Sequence, residues 1–271
     1  MPLNFNTNYV NNFPPNAQLA FQRALNTWSA LLNSNIQIDV TAIWGANLPG
    51  FDAICIPNAI ENFPNAPLAN TWYPSSLADK LANQDLQAND EDMAIYFSGG
   101  ANWNLGPGNP VAGQEDLESV ALHELGHGLG FVGIFLAVAW PWVGSYGDPA
   151  LLALLQAILL NNPPLPFALP ALNFHPSVYG THIEDLNGNY LTAPNIYANP
   201  SPQLGAELIS DNLFFDLNPR VQVYAPNPFA PFTSVDHLSN PVSLMRPQIA
   251  AGQHVRVVDP PVLQILNALG W

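Results

Sequence analysis

The chain has 271 residues, 48% of them apolar, and sets five lysines and arginines against 20 acidic residues, for a net charge of −15. This length and apolar content favour a folded protein with a sizeable core and argue against disorder. The negative charge repels phosphate groups, so neither nucleic acid nor an anionic membrane surface is expected as a partner. Cys55 is the only cysteine, which excludes an internal disulfide and a zinc cluster built on cysteines.

The first 130 residues alternate between patterns typical of helices and of strands. Residues 16–33 place apolar side chains at helical spacing, and residues 35–44 alternate as a half-buried strand does. A short helix over 75–86 and a strand over 91–99 follow. A helix over 113–130 then carries acidic residues in its first turn and ends at glycines. This order predicts an α/β layer.

The rest of the chain has a different composition. Prolines recur from 163 to 232, which predicts an irregular region, and a short terminal helix is predicted over 260–271. The apolar run 150–160 is too short to span a bilayer, so no transmembrane segment is expected, and we interpret it as a buried helix or a lid. The opening residues show neither the basic region nor the apolar run of a signal peptide.

The predicted helix over 113–130 contains the pattern His-Glu-x-x-His. His123 and His127 are four residues apart, so their imidazoles lie on one face and can share a metal ion. Glu124 is placed to hold a water molecule without being a ligand. Zinc lowers the pKa of such a water to about 7, so the pattern favours a zinc hydrolase. The alternative is that the two histidines are ordinary core residues.

A familiar extension of this pattern puts a third histidine six residues after the second, but here that position is Gly133. Of the remaining histidines, His237 is the strongest candidate, because Met245 follows it in Ser-Leu-Met-Arg-Pro, which is typical of a tight turn with a methionine beneath a zinc site. The weaker candidates for a third ligand are His175, His182, His254, Glu184 and Glu207.

These segments, HELGHGLGF at 123–131 and SVDHL with SLMRP near 237–247, together resemble the leishmanolysin-like metzincins and their bacterial relatives. In that group a long insertion displaces the third histidine to a position shortly before the methionine turn. The resemblance covers 13–130 and 179–271, whereas about 134–178 does not match. It implies a catalytic zinc held by His123, His127 and His237, with Glu124 as the base and Met245 in the turn.

The resemblance also implies an α/β zincin fold, with one catalytic domain over 1–271. Its N-terminal lobe, 1–130, would hold a twisted sheet and the active-site helix. Its C-terminal lobe, 131–271, would be irregular and proline-rich and would hold the third ligand, the methionine turn and the terminal helix. The strand 93–99 would form the upper edge of the cleft and pair with extended substrate. An extracellular location is implied as well.

We therefore expect a zinc-dependent endopeptidase that hydrolyses protein or peptide substrates. Two alternatives remain: a zinc-stabilised binding or adhesion protein that uses 131–160 as its contact surface, and a zinc hydrolase of a non-peptide amide. Glu124 argues against the first, because a structural zinc site needs no general base. Calcium is possible but unsupported, because the oxygens of 185–189 are too few for a calcium loop. The sequence indicates no oligomeric state.

Overall fold

The computed structural model describes residues 1–139 and 142–271. Within them, six α-helices occur: α1 (Pro15–Leu31), α2 (Ser75–Ala82), α3 (Leu117–Gly128), α4 (Pro149–Leu159), α5 (Pro202–Glu207) and α6 (Pro260–Leu269). The strands are β1 (Asn4–Val10), β2 (Gln37–Ala46), β3 (Ala53–Pro57), β4 (Ala59–Glu61), β5 (Trp72–Pro74), β6 (Met93–Ser98), β7 (Trp103–Asn104), β8 (Glu115–Asp116), β9 (Phe135–Val138), β10 (Val143–Tyr146), β11 (Ile183–Glu184), β12 (Leu213–Phe215) and β13 (Val221–Val223). The protein is thus a mixed α/β structure with several small sheets.

The largest sheet has four strands in the order β1-β2-β6-β3. The first three are parallel, whereas β3 runs antiparallel to β6 at the edge. The crossover from β1 to β2 is α1, which buries the predicted face of Phe21, Leu25 and Trp28. Because α3 packs against both α1 and β3, the sheet and α1 together position the helix that carries His-Glu-x-x-His.

The second face of this sheet is covered by the segment that follows α3. We predicted β2 as half-buried, but its residues from Val40 to Ile43 are all buried. Leu155 of α4 and Phe167 beyond it form one apolar cluster with Ile43 and Tyr96 of the sheet. The apolar run is therefore a helix that lies on the sheet. No helix in the described ranges combines the length and the hydropathy that a bilayer crossing requires.

Helix ends differ from the predicted boundaries for local reasons. α3 begins at Leu117 because Asp116 is its N-cap and accepts a hydrogen bond from the Ser119 amide. Glu118 lies in the first turn, as predicted, whereas Glu115 and Asp116 lie before it, contrary to our prediction. α2 ends at Ala82 because Asn83 adopts a left-handed conformation, with φ of 50°.

The proline-rich region holds only short elements, as predicted. They are a 3₁₀ turn (Tyr179–His182), α5, and the three-stranded sheet β11-β12-β13. The predicted turn at 187–188 is present, with Gly188 at φ of 83°. Asp185 accepts hydrogen bonds from Asn187, Asn189 and Tyr197. Since these donors already occupy both of its carboxylate oxygens, the arrangement is that of a turn and gives no support to a calcium site.

A pair of buried carboxylic acids joins α2 to the sheet. Asp79 is 2% exposed and Asp92 is 6% exposed, and their side chains share a hydrogen bond. Asp92 Oδ2 also accepts a hydrogen bond from the Asp39 amide at 2.8 Å. Burial, reinforced by the neighbouring carboxylates, raises the pKa of Asp92 to about 8 and that of Asp79 to about 6. Asp92 therefore keeps its proton in the folded protein near neutral pH.

This proton makes stability depend on pH. The unfolded Asp92 loses its proton near pH 4, whereas the folded one keeps it to about pH 8. The folded state thus binds the extra proton between these values, so stability falls as pH rises, by up to about 1.4 kcal/mol per unit. We expect Asp92→Asn, which retains an acceptor for Asp39 and supplies a donor to Asp79, to flatten this decline. Urea unfolding at pH 5 and pH 8 measures this change in the free energy of unfolding. Asp90→Asn controls for the loss of one acidic group, because Asp90 is exposed. A decline as steep as in wild type would contradict the shared proton.

Candidate metal centre

Helix α3, which carries the His-Glu-x-x-His pattern, is held at its start by a buried ion pair. Arg256 contacts both carboxylate oxygens of Asp116, the N-cap of α3, and Asp116 also accepts a hydrogen bond from Asn104. Arginine lowers the pKa of Asp116 against the effect of burial, so this residue remains a charged cap. Every residue of α3 is buried. The helix therefore has a fixed start and no exposed face.

Three histidines from distant parts of the chain meet on the buried side of a cleft. His123 and His127 lie on α3, and His237 approaches from the loop after β13. The Nε2 atom of His123 is 3.1 Å from that of His127 and 3.1 Å from that of His237. All three side chains are less than a tenth exposed. The structure thus brings together the three residues that the sequence proposed as ligands.

The outward nitrogen of each ring faces a backbone carbonyl oxygen. His123 Nδ1 lies 2.8 Å from Leu244 O, His127 Nδ1 lies 2.7 Å from Phe131 O, and His237 Nδ1 lies 2.8 Å from Thr233 O. A carbonyl oxygen only accepts hydrogen bonds, so each Nδ1 must carry the proton. Each Nε2 is then a lone-pair donor, and the three lone pairs point at one another.

Burial keeps these rings neutral. It lowers the pKa of His123 to about 4 and that of His127 to about 3, and it lowers the pKa of His237 well below the usual range. The neighbouring histidines disfavour a charge on His127 and His237 further. Neutral imidazole is the form that ligates a metal, so the site is in its ligand form at neutral pH.

The nitrogen spacing fits one shared metal ion. Tetrahedral zinc with Zn–N bonds of 2.0–2.1 Å places its ligand atoms about 3.3 Å apart, close to the 3.1 Å from His123 to each of the other two rings. All three ligand atoms lie within 4.8 Å of one another, so the three rings could hold one metal ion. Three imidazoles suit zinc and also copper, iron and nickel. The donor set therefore indicates a transition metal without selecting one.

Glu124 lines the same cleft as the three histidines. Its side chain is 7% exposed, and burial raises its pKa to about 8, with the Cys55 amide acting in the opposite direction. Cys55 on β3 is partly exposed, and its thiol interacts with the Gly128 backbone. Glu124 thus combines a high proton affinity with a position next to the candidate metal, which is what a general base requires.

The cleft is a cavity of about 400 Å³. β3 lines the cavity, and α4 and the loop after it line it too, through Leu151, Leu155 and Leu172. Most lining side chains are apolar. The acidic ones are Asp52 and Asp236 besides Glu124, and the lining contains no lysine or arginine from the described residues. The cleft therefore suits apolar groups and offers an anion no cationic side chain.

The edge of the cleft is β3 rather than the predicted strand at 93–99. That strand, β6, is paired on both sides, with β2 and with β3, and so cannot accept another strand. The amide of Ser98 donates to Asp52 O, and that of Asn58 donates to Asp92 O. In an antiparallel pair this pattern turns the backbone groups of Ala53, Cys55 and Pro57 away from β6. The free edge therefore borders the cavity at β3.

Gly133 has a structural role where the familiar motif has its third histidine. The chain leaves α3 through Gly130, whose φ of 139° disfavours any side chain. The Gly133 amide then donates to Asp236 Oδ1 at 2.5 Å. Asp236 directly precedes His237, so this contact ties the exit of the helix to the third histidine. The sequence analysis did not identify Asp236, because nothing local distinguishes it from a surface acid.

Met245 lies directly beneath the two histidines of α3. It is fully buried, and a Cβ atom added to Gly126 would lie only 2.7 Å from its sulfur atom. Gly126 sits between His123 and His127 in sequence, so the absence of a side chain there lets the turn approach the helix. Met245 thus packs against the helix that carries His123 and His127.

Gly126→Ala tests this packing. Helix propensity alone would stabilise the variant by about 1 kcal/mol, whereas the collision with Met245 costs about 1–3 kcal/mol. We expect a net loss of about 1 kcal/mol in the free energy of unfolding, measured with urea. Adding Met245→Ala should make the effect of Gly126→Ala favourable, because the collision is then removed. Gly108→Ala, which meets open space, is the control. A stabilised single variant would mean that Met245 is not held against the helix.

The weaker ligand candidates lie elsewhere. His175 pairs with Glu61 at 2.7 Å, and His182 pairs with Asp216 at 2.8 Å. Glu184 pairs with Arg220. These residues, together with the exposed His254 and with Glu207, do not line the cleft. The ion pairs of His175, His182 and Glu184 explain the positions of these side chains without a metal ion.

Comparisons with known proteins returned no relative. No model of a protein family matches this chain, and neither the curated proteins nor the solved structures searched include a match. The arguments about function therefore rest on the geometry of the site and on the sequence motifs.

Proposed function

We propose that this protein is a zinc-dependent endopeptidase of the metzincin type. The observation that carries the proposal is the convergence of three neutral imidazoles with one buried carboxyl group in an apolar cleft. A site that served only to stabilise the fold would be closed by a fourth protein ligand. Here the candidate ligands among the described residues number three, and the cleft opens beside them.

Different residues would have different roles in the reaction. His123, His127 and His237 would hold the ion through Nε2. Zinc, when bound, polarises a carbonyl group and makes water a better acid. Glu124, in its ionised form, would take the proton of the attacking water and pass it to the leaving amine as general base and then general acid.

The cleft would bind substrate through its backbone and its apolar side chains. The Cys55 amide is already bonded to Glu124, but the outward backbone groups of Ala53 and the carbonyl groups of Cys55 and Pro57 would be able to pair with an extended chain and so position its peptide bond. Leu151, Leu155 and Leu172 of the cleft lining offer apolar contacts. A peptide fits this combination better than a small amide, because a small amide would leave the free strand edge unused.

The metzincin assignment draws on two further features. Met245 supports the metal-binding helix from below through Gly126. His237 comes from a separate loop more than a hundred residues after α3, as in the family with the displaced third histidine. Both features agree with the motifs that suggested the family.

The proposal is tested by digestion of an unfolded substrate such as casein. Zinc-loaded protein should cleave it, 1,10-phenanthroline should stop cleavage, and added zinc should restore it. Parallel loading with cobalt, copper and nickel identifies which ions support activity. Folded protein that binds zinc tightly and cleaves neither casein nor a peptide library would overturn the proposal and favour a binding protein.

A further inference from the structure

Asp259 stands at the N-cap of α6 but does not cap the helix. Aspartate in this position normally accepts a hydrogen bond from an amide in the first turn, and Asp148 does so for α4. The Asp259 side chain makes no such bond. Its carboxylate instead faces the loop that contains Met245. Because the carboxylate leaves the first turn of α6 uncapped, we interpret its role as stabilising the loop that contains Met245.

The contacts of this carboxylate fix two consecutive residues of the loop. Asp259 Oδ1 accepts a hydrogen bond from the Leu244 amide at 2.8 Å. The Ser243 hydroxyl lies 2.9 Å from Oδ2 and 3.1 Å from Oδ1. The same hydroxyl oxygen accepts the Met245 amide at 3.2 Å. Ser243 and Leu244 are fully buried, whereas Asp259 is partly exposed.

Leu244 links this network to the metal site. Its carbonyl oxygen accepts the hydrogen bond from His123 Nδ1 at 2.8 Å. Leu244 is therefore held at its amide by Asp259 while its carbonyl orients the imidazole. A partner on the outward nitrogen sets both the tautomer and the direction of a ligating histidine. The Asp259 carboxylate thus reaches His123 through a single residue.

We infer that Asp259 is a positioning residue for the metal site, which aims the Nε2 lone pair of His123 by fixing Leu244. The inference depends on the metal site of the proposed function but not on peptidase activity. It assigns a role in metal binding to a residue of the terminal helix, which neither contacts the histidines nor lines the cleft.

The test compares metal affinity across a small set of variants. Asp259→Ala removes all the contacts, whereas Asp259→Asn retains an acceptor for the Leu244 amide. Asp259→Ser keeps a residue that can cap α6 but is too short to reach Leu244. Asp148→Ala is the matched control, because Asp148 is also an aspartate that precedes the first-turn proline of a helix. Zinc affinity is measured by competition with a chelating dye, and ligand geometry by the visible spectrum of the cobalt-loaded protein.

The expected result is a loss of zinc affinity of about 10- to 100-fold in Asp259→Ala and Asp259→Ser, with an altered cobalt spectrum. Asp259→Asn should remain within about threefold of wild type, since its amide side chain preserves the bond to Leu244. Asp148→Ala should melt at a lower temperature with unchanged affinity. If Asp259→Ala does not fold, Asp259→Ser decides the question.

The inference is overturned if Asp259→Ser binds zinc as tightly as Asp148→Ala does and gives the wild-type cobalt spectrum. That result would leave the proposed function intact, because wild-type protein would still bind zinc. A wild-type protein that binds neither zinc nor cobalt would overturn the metal site and the role of Asp259 with it. The two failures are therefore distinguishable.

Discussion

Replacing Glu124 by alanine is expected to abolish hydrolysis while zinc remains bound. Glu124 is not one of the three converging ligands, so its removal takes away the base and leaves the metal site. General acid–base catalysis contributes about 100- to 10,000-fold, and we expect a loss in kcat/KM of that size on a peptide substrate. Zinc content after dialysis, measured together with the rate, checks both halves of the prediction.

Glu124→Gln is the sharper companion, because it preserves the shape of the side chain and removes only its ability to take a proton. Both variants should fold at least as well as wild type, since each removes a buried ionisable group. Activity within about tenfold of wild type in Glu124→Gln would exclude Glu124 as the general base. Loss of zinc from either variant would instead mean that Glu124 acts as a ligand.

Replacing His237 by alanine is expected to weaken zinc binding by more than about 100-fold. Changing a residue that only orients a ligand costs about 10- to 100-fold in affinity, so removing one of three ligands should cost more. The hydrogen bond from His237 Nδ1 to Thr233 is also lost, but the loop keeps its contact between Asp236 and Gly133. The protein should therefore fold, and a dye competition assay can compare its affinity with that of wild type.

His254→Ala is the control for this variant, because His254 is exposed and does not line the cleft. Its zinc affinity and activity should equal those of wild type. A His237→Ala protein that stays fully metallated and active would mean that the third ligand is another residue. Loss of binding in both variants would indicate that the assay detects zinc bound nonspecifically to surface histidines.

Several features of the site follow from sequence alone, because they depend on residues close together in the chain. The four-residue spacing of His123 and His127 determines that they share a helix face. The position of Glu124 between them follows from the same helix. The amphipathic pattern of α1 also identified its buried face, Phe21, Leu25 and Trp28, because a single period of 3.6 residues governs the whole helix.

Other features depend on contacts between residues that are distant in the chain, and local sequence patterns do not predict such contacts. The edge strand was assigned to β6 instead of β3, because strand order is set by pairing across the sheet and both segments have apolar patterns. The burial of both faces of β2 depends on α4, which lies more than a hundred residues later in the chain. Neither the edge position of β3 nor the burial of both faces of β2 can be predicted from the sequence of that strand alone.

The sequence by itself determined which residues are the candidates for the site: two histidines and a glutamate on one helix, and His237, which a methionine motif singled out. Only the tertiary structure decided the spacing of 3.1 Å between the ring nitrogens, the tautomers set by backbone carbonyls, and the link from Asp259 through Leu244. The physical reason is that a motif records residue types, whereas the direction of each histidine Nε2 lone pair depends on the backbone carbonyl oxygen that accepts the Nδ1 proton. Every residue has a backbone carbonyl, so no sequence pattern shows which one accepts that hydrogen bond.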